Sequence, residues 1–422
     1  MINFLTTWID KLFQSFFNED LNTLINLIDP KTSEEKFEEI YLNITKLSDF
    51  NNIIQDNLRI KLKDEKKFKN FNEFISNYFL FRINYFREDF HLAFENLKDS
   101  FINFQEIYKN LECPKFLNFI LKYLIRNLFL SSSMADQKNL KKKINTNTQY
   151  VNELGRHLMN FFSKFQLQDD KQIIFFSIIY IIRIYFKLRT YRNSKTLVEW
   201  VDLGNINFNL LPKSDVVTYF YYSGRLGLYE LKLSEARKIF SNAFEICNIK
   251  QINNLKLILE YLIPLNLFFG QIPQKELLIK YNIYEYYDLI EAYKVGDVRK
   301  FEEALDKLED RLIQLGTFLI VDKLRGFVFR NLIRKIYKIF EKEINERKNP
   351  IMHIEVIYKV LKNVFNYDNY DMEELELYLN SVIFKGLIGG YIHTKDKVIV
   401  FSKKNPFPNL VEVLEKNYNK II

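Results

Sequence analysis

Apolar residues recur at helical spacing along almost the whole chain. Between residue 1 and about residue 205, apolar stretches alternate with short polar breaks such as Asp29–Thr32 and Lys63–Lys67. This periodicity predicts a string of helices. Residues 131–148, SSSMADQKNLKKKINTNT, have the composition of a loop. We predict a solvated loop or a frayed helix there, with a functional basic contact as the alternative.

The pattern becomes more regular after Ser214. Two successive helical stripes are apolar: Tyr222, Leu226 and Tyr229 form the first, and Ala236, Phe240 and Ala243 form the second. Small alanines let paired helices approach closely, as in tetratricopeptide-like hairpins, which bury their faces only against neighbouring hairpins. Because no strict period of about 34 residues is present, we predict a degenerate right-handed helical-repeat solenoid.

Further predicted helices follow, and glycines mark the ends of two of them. The predicted segments are Asn253–Phe269, Lys275–Tyr281, Tyr284–Val295 and Val298–Leu315. Gly296 and Gly316 follow the last two segments, and glycine is the residue that most often ends a helix. Pro264 lies inside the first segment and predicts a kink or a break there.

The pattern changes after residue 317, where three predicted helices lead into two strands. The helices are Phe318–Glu346, Ile351–Phe365 and one that begins at Asp371 and is ended by Gly386. Asp371 can cap its helix while the Glu374 side chain bonds back to it, in a capping-box arrangement. The strands Ile388–His393 and Lys397–Phe401 flank a tight turn at Thr394–Asp396. Three helices followed by a two-stranded hairpin predict a winged-helix module.

The predicted fold class is therefore all-α, a helical-repeat solenoid that ends in a winged helix with a small β-hairpin. We predict N-terminal helical repeats over 1–205, a second set of helical repeats over 206–325 and a winged helix over 326–410. Residues 411–422 form a C-terminal tail to which we assign no role.

Composition supports a folded helical protein. Eleven glycines and eight prolines in 422 residues are too few for the turns of a β-rich fold. Cys113 and Cys247 lie far apart and predict neither a disulfide framework nor a thiolate metal site, as expected in a reducing compartment. The opening segment MINFLTTWIDKLFQSFF contains Asp10 and predicts an amphipathic helix rather than a signal peptide. The apolar run Ile173–Phe186 includes Arg183 and is too short to cross a bilayer, so we expect a soluble intracellular protein without membrane insertion.

Motifs of catalysis are missing from the sequence. It contains no P-loop, no dinucleotide-binding glycine motif after a strand, no HExxH, no GxSxG and no CxxC. The four histidines lack metal-ligand spacing: His91, His157, His353 and His393. We therefore predict no enzymatic activity, no cofactor and no metal site.

Basic residues concentrate on the predicted long helix: Lys323, Arg325, Arg330, Arg334, Lys335, Lys338 and Lys342. Between residues 321 and 342 only Asp322 and Glu341 oppose them. Every fourth residue from Arg330 to Lys342 is basic, so these four share one helix edge. Another edge is apolar and is predicted to face the core: Phe329, Leu332, Ile336 and Phe340. Like charges at this spacing cost roughly 0.2–0.5 kcal/mol per pair, which favours a compensating gain such as phosphate contact.

A second basic group lies on the wing and just after it: Lys395, Lys397, Lys403 and Lys404. With a formal net charge of +8 for the whole chain, both groups together are predicted to line a path for nucleic-acid phosphates. Contact with an acidic protein and plain solvation are the alternatives. The third helix begins with acidic residues, Asp371, Glu373, Glu374 and Glu376, which would be repelled from a DNA groove. The winged helix is thus predicted to bind nucleic acid through backbone charge, or to dock a protein.

Seven short segments between about 215 and 410 carry a family resemblance in order and spacing. They are Tyr222–Arg225, Ala243–Cys247, LIPLNLFFGQIP from Leu262, GTFLIVDKL from Gly316, Arg330–Leu332, KGLIGGYI from Lys385 and SKKNPFP from Ser402. With the solenoid and winged helix, they resemble the PCI-domain subunit of the nuclear transcription-and-export (TREX, second form) complex of messenger-RNA export.

The resemblance implies a set of partners and a location. The partners are a large export scaffold with its own PCI-like domain, a small acidic subunit of the Sem/DSS type, and RNA or single-stranded DNA held by paired winged helices. It implies a nuclear protein associated with the nuclear pore, with a cytoplasmic pool as an alternative. The competing hypothesis is a PCI subunit of a proteasome-lid or signalosome-like assembly that acts only in protein-protein packing.

Overall fold

Helices dominate the described part of the chain. The computed structural model describes residues 70–112, 114–141, 148–204, 206–341 and 350–421, with isolated positions before residue 70. The predicted N-terminal amphipathic helix and Cys113 lie outside the fully described ranges. The chain divides into two compact units, Met1–Asp215 and Val216–Ile422. The all-α fold class predicted from the sequence is confirmed, while the boundaries of the four predicted segments stay predictions.

The first unit is an array of helices, each packed against the next. They are α1 (Phe71–Phe86), α2 (Phe90–Asn110), α3 (Asn118–Lys141), α4 (Gln149–Phe165), α5 (Lys171–Lys187) and α6 (Lys195–Leu203); α7 (Lys213–Tyr229) continues into the second unit. Helix α5 contains the most apolar run of the sequence and is buried along most of its length. No helix in the described ranges is both long enough and apolar enough to span a membrane.

The sequence predicted a solvated loop or a frayed helix at 131–148. The solvated loop is wrong for residues 131–141, which are the last turns of α3, and several of their side chains are buried. Serine is common in loops, where its hydroxyl bonds to water. In α3 the serine hydroxyls instead donate to backbone carbonyls of the same helix. The Ser131 hydroxyl donates to the Asn127 carbonyl at 2.8 Å. Asp136 is buried and accepts the Tyr150 and Val151 N–H groups at 3.1 and 3.0 Å, which satisfies the start of α4. Residues 142–147 lie outside the described residues.

The second unit is also built mainly of helices. Its helices are α8 (Leu233–Ile246), α9 (Ile252–Phe268), α10 (Lys275–Lys280), α11 (Tyr287–Val295), α12 (Val298–Leu315) and α13 (Phe318–Ile339). Gly296 and Gly316 end α11 and α12 with left-handed φ angles of +81° and +77°, as predicted. Helix α13 ends at Ile339, earlier than the predicted residue 346.

Glycines as well as alanines set the close approach of α7 and α8. Ala236 and Ala243 of α8 are fully buried. A Cβ at Gly224 would lie 2.8 Å from the Phe240 ring, and one at Gly227 would lie 3.2 Å from the Ala236 Cβ. Tyr229, assigned to the same apolar stripe from its spacing, is half exposed. The tight contact therefore depends on two glycines, which have no side chain and which the spacing of apolar residues does not reveal.

Helix α9 runs through Pro264 without a break, contrary to one of the two predicted outcomes. Proline has no N–H, so the Glu260 carbonyl one turn earlier loses its usual donor. The Tyr286 hydroxyl supplies a substitute and donates to that carbonyl at 3.4 Å. The Glu260 carboxylate is buried and receives both of its bonds from Arg311, at 2.6 Å each. The carbonyl that Pro264 cannot serve thus has a partner from outside the helix.

The winged helix follows α13. Its elements are β1 (Ile351–His353), α14 (Ile354–Val364), α15 (Met372–Phe384), β2 (Gly390–His393) and β3 (Val398–Phe401). The sheet has three antiparallel strands in the order β1-β3-β2, rather than the predicted two. Ile351 pairs with Val400 and His353 with Val398. The predicted helix from 351 therefore begins three residues late, because its first residues join the sheet.

A final helix, α16 (Leu410–Ile421), packs back onto the second unit. The Leu410 side chain lies against Gly270, where an added Cβ would be 2.8 Å from its Cδ1. Val413 and Leu414 are buried in the same core. The segment without a predicted role thus contributes apolar surface to the core of this unit.

Candidate nucleic-acid interface

Arg330 was predicted to contact phosphates, and its position excludes that role. It is 4% exposed and points into the base of the winged helix. Its Nε donates to the Leu387 carbonyl at 3.0 Å and its Nη2 donates to the Pro408 carbonyl at 2.8 Å. Burial lowers the pKa of the guanidinium to about 10, so the group stays protonated at neutral pH. Arg330 is a structural tie between α13 and the two segments that flank the wing.

The same place joins two of the segments that carry the family resemblance, KGLIGGYI and SKKNPFP. The Gly389 N–H donates to the Pro406 carbonyl at 2.9 Å, and the Ser402 N–H donates to the Gly389 carbonyl at 2.8 Å. A Cβ at Gly389 would lie 2.4 Å from the Asn405 carbonyl oxygen. Only a residue without a side chain fits there. The two segments therefore lock the wing to the chain that follows it.

An aromatic cluster fixes that following chain against α13. The Tyr337 ring lies 4.9 Å from the Phe401 ring and 5.4 Å from the Phe407 ring, centroid to centroid. Lys403 and Lys404 lie between these two phenylalanines in sequence and are exposed. The cluster therefore packs both ends of the segment that contains these lysines against Tyr337, which lies between Arg334 and Lys338 on α13.

Arg325 also forms ion pairs within the protein. Its Nη1 bonds to the Glu302 carboxylate at 2.9 Å and its Nε bonds to Asp322 at 3.0 Å. The Tyr367 hydroxyl donates to the other Glu302 oxygen at 2.8 Å. Glu302 thus joins α12, α13 and the loop between α14 and α15. Lys323 lies half-buried near Lys385, and its charge adds to burial in lowering the pKa of Lys385.

The hydrogen bond from Tyr367 offers a direct test of this junction. Replacing Tyr367 with Phe should lower the free energy of unfolding by about 1 kcal/mol, because Glu302 loses a donor while the ring stays in place. Chemical denaturation followed by circular dichroism would measure the change. Tyr284→Phe, at an exposed tyrosine, is the matched control and should change stability by less than about 0.5 kcal/mol. Equal effects of the two substitutions would argue against the junction.

Seven of the predicted residues remain exposed, and we call them the basic surface: Arg334, Lys335, Lys338, Lys395, Lys397, Lys403 and Lys404. None of them forms an ion pair with a carboxylate within the described ranges. Lys342 lies outside those ranges. The predicted set therefore separates into structural and half-buried members on α13 up to Arg330, and an exposed group from Arg334 onward, on the wing and on the chain after it.

The third helix of the winged helix, α15, has a different character. Asp371 accepts the N–H groups of Glu373 and Glu374 at 2.9 and 2.8 Å, and Glu374 bonds back to the Asp371 N–H, so the predicted capping box is confirmed. Leu377 and Phe384 on the same helix are 70% and 69% exposed. Phe340, predicted to face the core, is also partly exposed. The helix that enters DNA in other winged helices thus presents acidic and apolar groups.

Among the described residues no group of acidic, histidine or cysteine side chains is arranged to hold a metal ion. Cys247 is buried as a free thiol, and burial raises its pKa.

A helical array that runs into a winged helix defines the PCI-type architecture, and comparisons with known proteins support that class. No family model matches the chain. The chain is 29% identical over 417 residues to Enhanced ethylene response protein 5 of Arabidopsis thaliana, covering 96% of this chain and 95% of that protein. It is 28% identical over 319 residues to PCI domain-containing protein 2 of Xenopus laevis, covering 73% and 78%.

A third relative is similar over a shorter range. Protein CSN12 homolog of Mycosarcoma maydis is 26% identical over 238 residues, which cover 54% of this chain and 52% of that protein. The resemblance found in the sequence placed the family segments after residue 215, whereas the Arabidopsis alignment extends over nearly the whole chain. The fold and these relatives support a PCI-domain protein.

Proposed function

We propose that this protein is a non-catalytic scaffold subunit of a nuclear messenger-RNA export complex, and that it holds RNA or single-stranded DNA at its basic surface. The observation that carries the proposal is the exposure of seven lysine and arginine side chains on α13, the wing and the chain after it. Exposed cations attract nucleic-acid phosphates and release the counterions condensed on them.

Binding of this kind follows backbone charge rather than base sequence. The N-terminus of α15 is acidic, and carboxylates would be repelled by the phosphates that line a duplex groove. Phosphate contacts fix the position of a protein on nucleic acid but carry no sequence information. We therefore propose capture of RNA or single strands without strong sequence preference.

The exposed apolar residues of α15, Leu377 and Phe384, support a second, protein-binding role. We propose that this helix and the helical repeats face the large PCI-like export scaffold, and that a small acidic subunit belongs to the same complex. We accordingly propose a nuclear location, in association with the nuclear pore and without membrane insertion.

The competing function is that of a PCI subunit in a proteasome-lid or signalosome-like assembly, with no nucleic-acid role. The apolar face of α15 does not distinguish the two functions, since that face serves protein packing in either case. The basic surface would then bind an acidic protein instead of phosphates.

A salt series distinguishes the two functions. Binding of single-stranded RNA by the chain, alone and with its co-purified partners, should weaken with a log-log slope between about −2 and −5, since each phosphate contact contributes about −0.7 for single strands. A flat series, or no binding in either form, would contradict the export hypothesis and favour the protein-only assembly.

A further inference from the structure

The outer face of the winged-helix sheet carries aromatic side chains in register. Residues paired directly across antiparallel strands project to the same side of the sheet. One cross-strand row therefore contains His353, Val398 and His393, and the next contains Ile351, Val400 and Tyr391. The opposite face contains Met352, Ile399 and Phe401, which are buried in the core. The first face is the outer one.

This outer face has the exposure expected of a contact surface. Tyr391 is 59% exposed, so its phenol ring is accessible on this face. A tyrosine that served only to fill the core would be covered. His353 and His393 are exposed as well. Val398 is buried and Val400 half-buried between them, so they form an apolar floor below one phenol ring and two imidazoles.

Positive charge borders this face. Lys395 and Lys397 lie at the turn of the same hairpin, and Lys403 and Lys404 follow its last strand. The one carboxylate at the turn, Asp396, lies 3.1 Å from His393 Nδ1, so its charge is directed to that imidazole. The outer face thus combines flat aromatic rings with cations at its edge.

We infer that Tyr391, with His353 and His393 beside it, is a stacking platform for the unpaired bases of a single-stranded nucleic acid. The inference rests on the proposed function, because the basic surface must first hold the phosphates. Bases of every kind have a π-face, so stacking on aromatic side chains adds affinity without sequence preference. Loss of one stacked base typically lowers affinity by about 5- to 150-fold.

Two probes separate base stacking from phosphate contact. We would measure binding of oligothymidylate, and of an abasic deoxyribose-phosphate oligomer of the same length, to the full chain with its co-purified partners. Tyr391→Ala and Tyr391→Leu should lower affinity for oligothymidylate by about 5-fold or more and leave affinity for the abasic oligomer unchanged. Tyr391→Phe keeps the ring and should bind both oligomers like the unmodified protein.

Tyr284→Ala is the matched control, since Tyr284 is an exposed tyrosine between α10 and α11 and outside the sheet. It should leave both affinities unchanged. Equal losses on both probes, or no loss on oligothymidylate, would overturn the platform and leave phosphate capture intact. Loss of partner assembly with unchanged oligomer binding would make the face a protein contact, which also overturns it. If the unmodified protein binds neither oligomer, the proposed function itself fails.

Discussion

Replacing Arg330 with alanine is expected to lower the free energy of unfolding by about 2–5 kcal/mol. The substitution leaves the Leu387 and Pro408 carbonyls without the donors they now have at 3.0 and 2.8 Å. It also removes a guanidinium that fills the buried base of the wing. Each carbonyl that loses its donor in a buried place costs about 1–3 kcal/mol.

The control lies one helical turn further along. Arg334 is exposed and Arg334→Ala should change stability by no more than about 0.5 kcal/mol. Arg330→Lys should fall nearer to alanine than to arginine, because one ammonium lacks the planar fork that reaches two carbonyls. Urea denaturation of the three variants would measure the differences. Equal stability of the Arg330 and Arg334 variants would show that Arg330 does not tie the wing in place.

Reversing the charge of Lys395, Lys397, Lys403 and Lys404 to glutamate is expected to weaken RNA binding by more than about 100-fold at low salt. Four phosphate contacts would be lost, so the log-log salt slope should flatten by about 3. All four side chains are exposed, and the fold should be unaffected. Filter binding or fluorescence anisotropy across a salt series would measure both quantities.

A matched variant separates the effect of the position of the lysines from the effect of the total charge on RNA binding. Lys238, Lys250, Lys280 and Lys307 are exposed lysines of the second unit that lie outside the basic surface. Their reversal to glutamate changes the formal net charge of +8 by the same amount. We expect only a small, uniform loss of affinity from this variant. Unchanged affinity after reversal at the wing, or an equal loss in the matched variant, would refute a localised phosphate site.

These two experiments separate the roles of basic residues that look equivalent in the sequence. Arg330, Arg334 and Lys338 have the same spacing, and all three are cationic. Mutation of Arg330 would weaken RNA binding by disturbing the wing, whereas mutation of Arg334 would act on phosphate contact alone. A binding assay without a stability measurement would therefore assign both residues the same role.

Features that depend on neighbours in the chain were predictable from the sequence. Helix α12 begins and ends where its apolar spacing and the following Gly316 indicate. The capping box at Asp371 needs only residues three positions apart. The hairpin was likewise signalled by two short apolar runs around a turn. In each case the stabilising contacts are local, so periodicity and turn chemistry contain the information.

Other features depend on residues that lie far apart in the sequence. Ile351–His353 became a strand because β3, more than forty residues later, offers a partner edge. Pro264 stays inside a helix because the Tyr286 hydroxyl reaches the carbonyl that the proline cannot serve. Arg330 is buried because the carbonyls of Leu387 and Pro408 converge on it. Local patterns thus predicted the helical character of the chain, the ends of α11 and α12 and the hairpin of the winged helix. Packing decided which cations are structural and which reach solvent, since burial arises from contacts that no local pattern records.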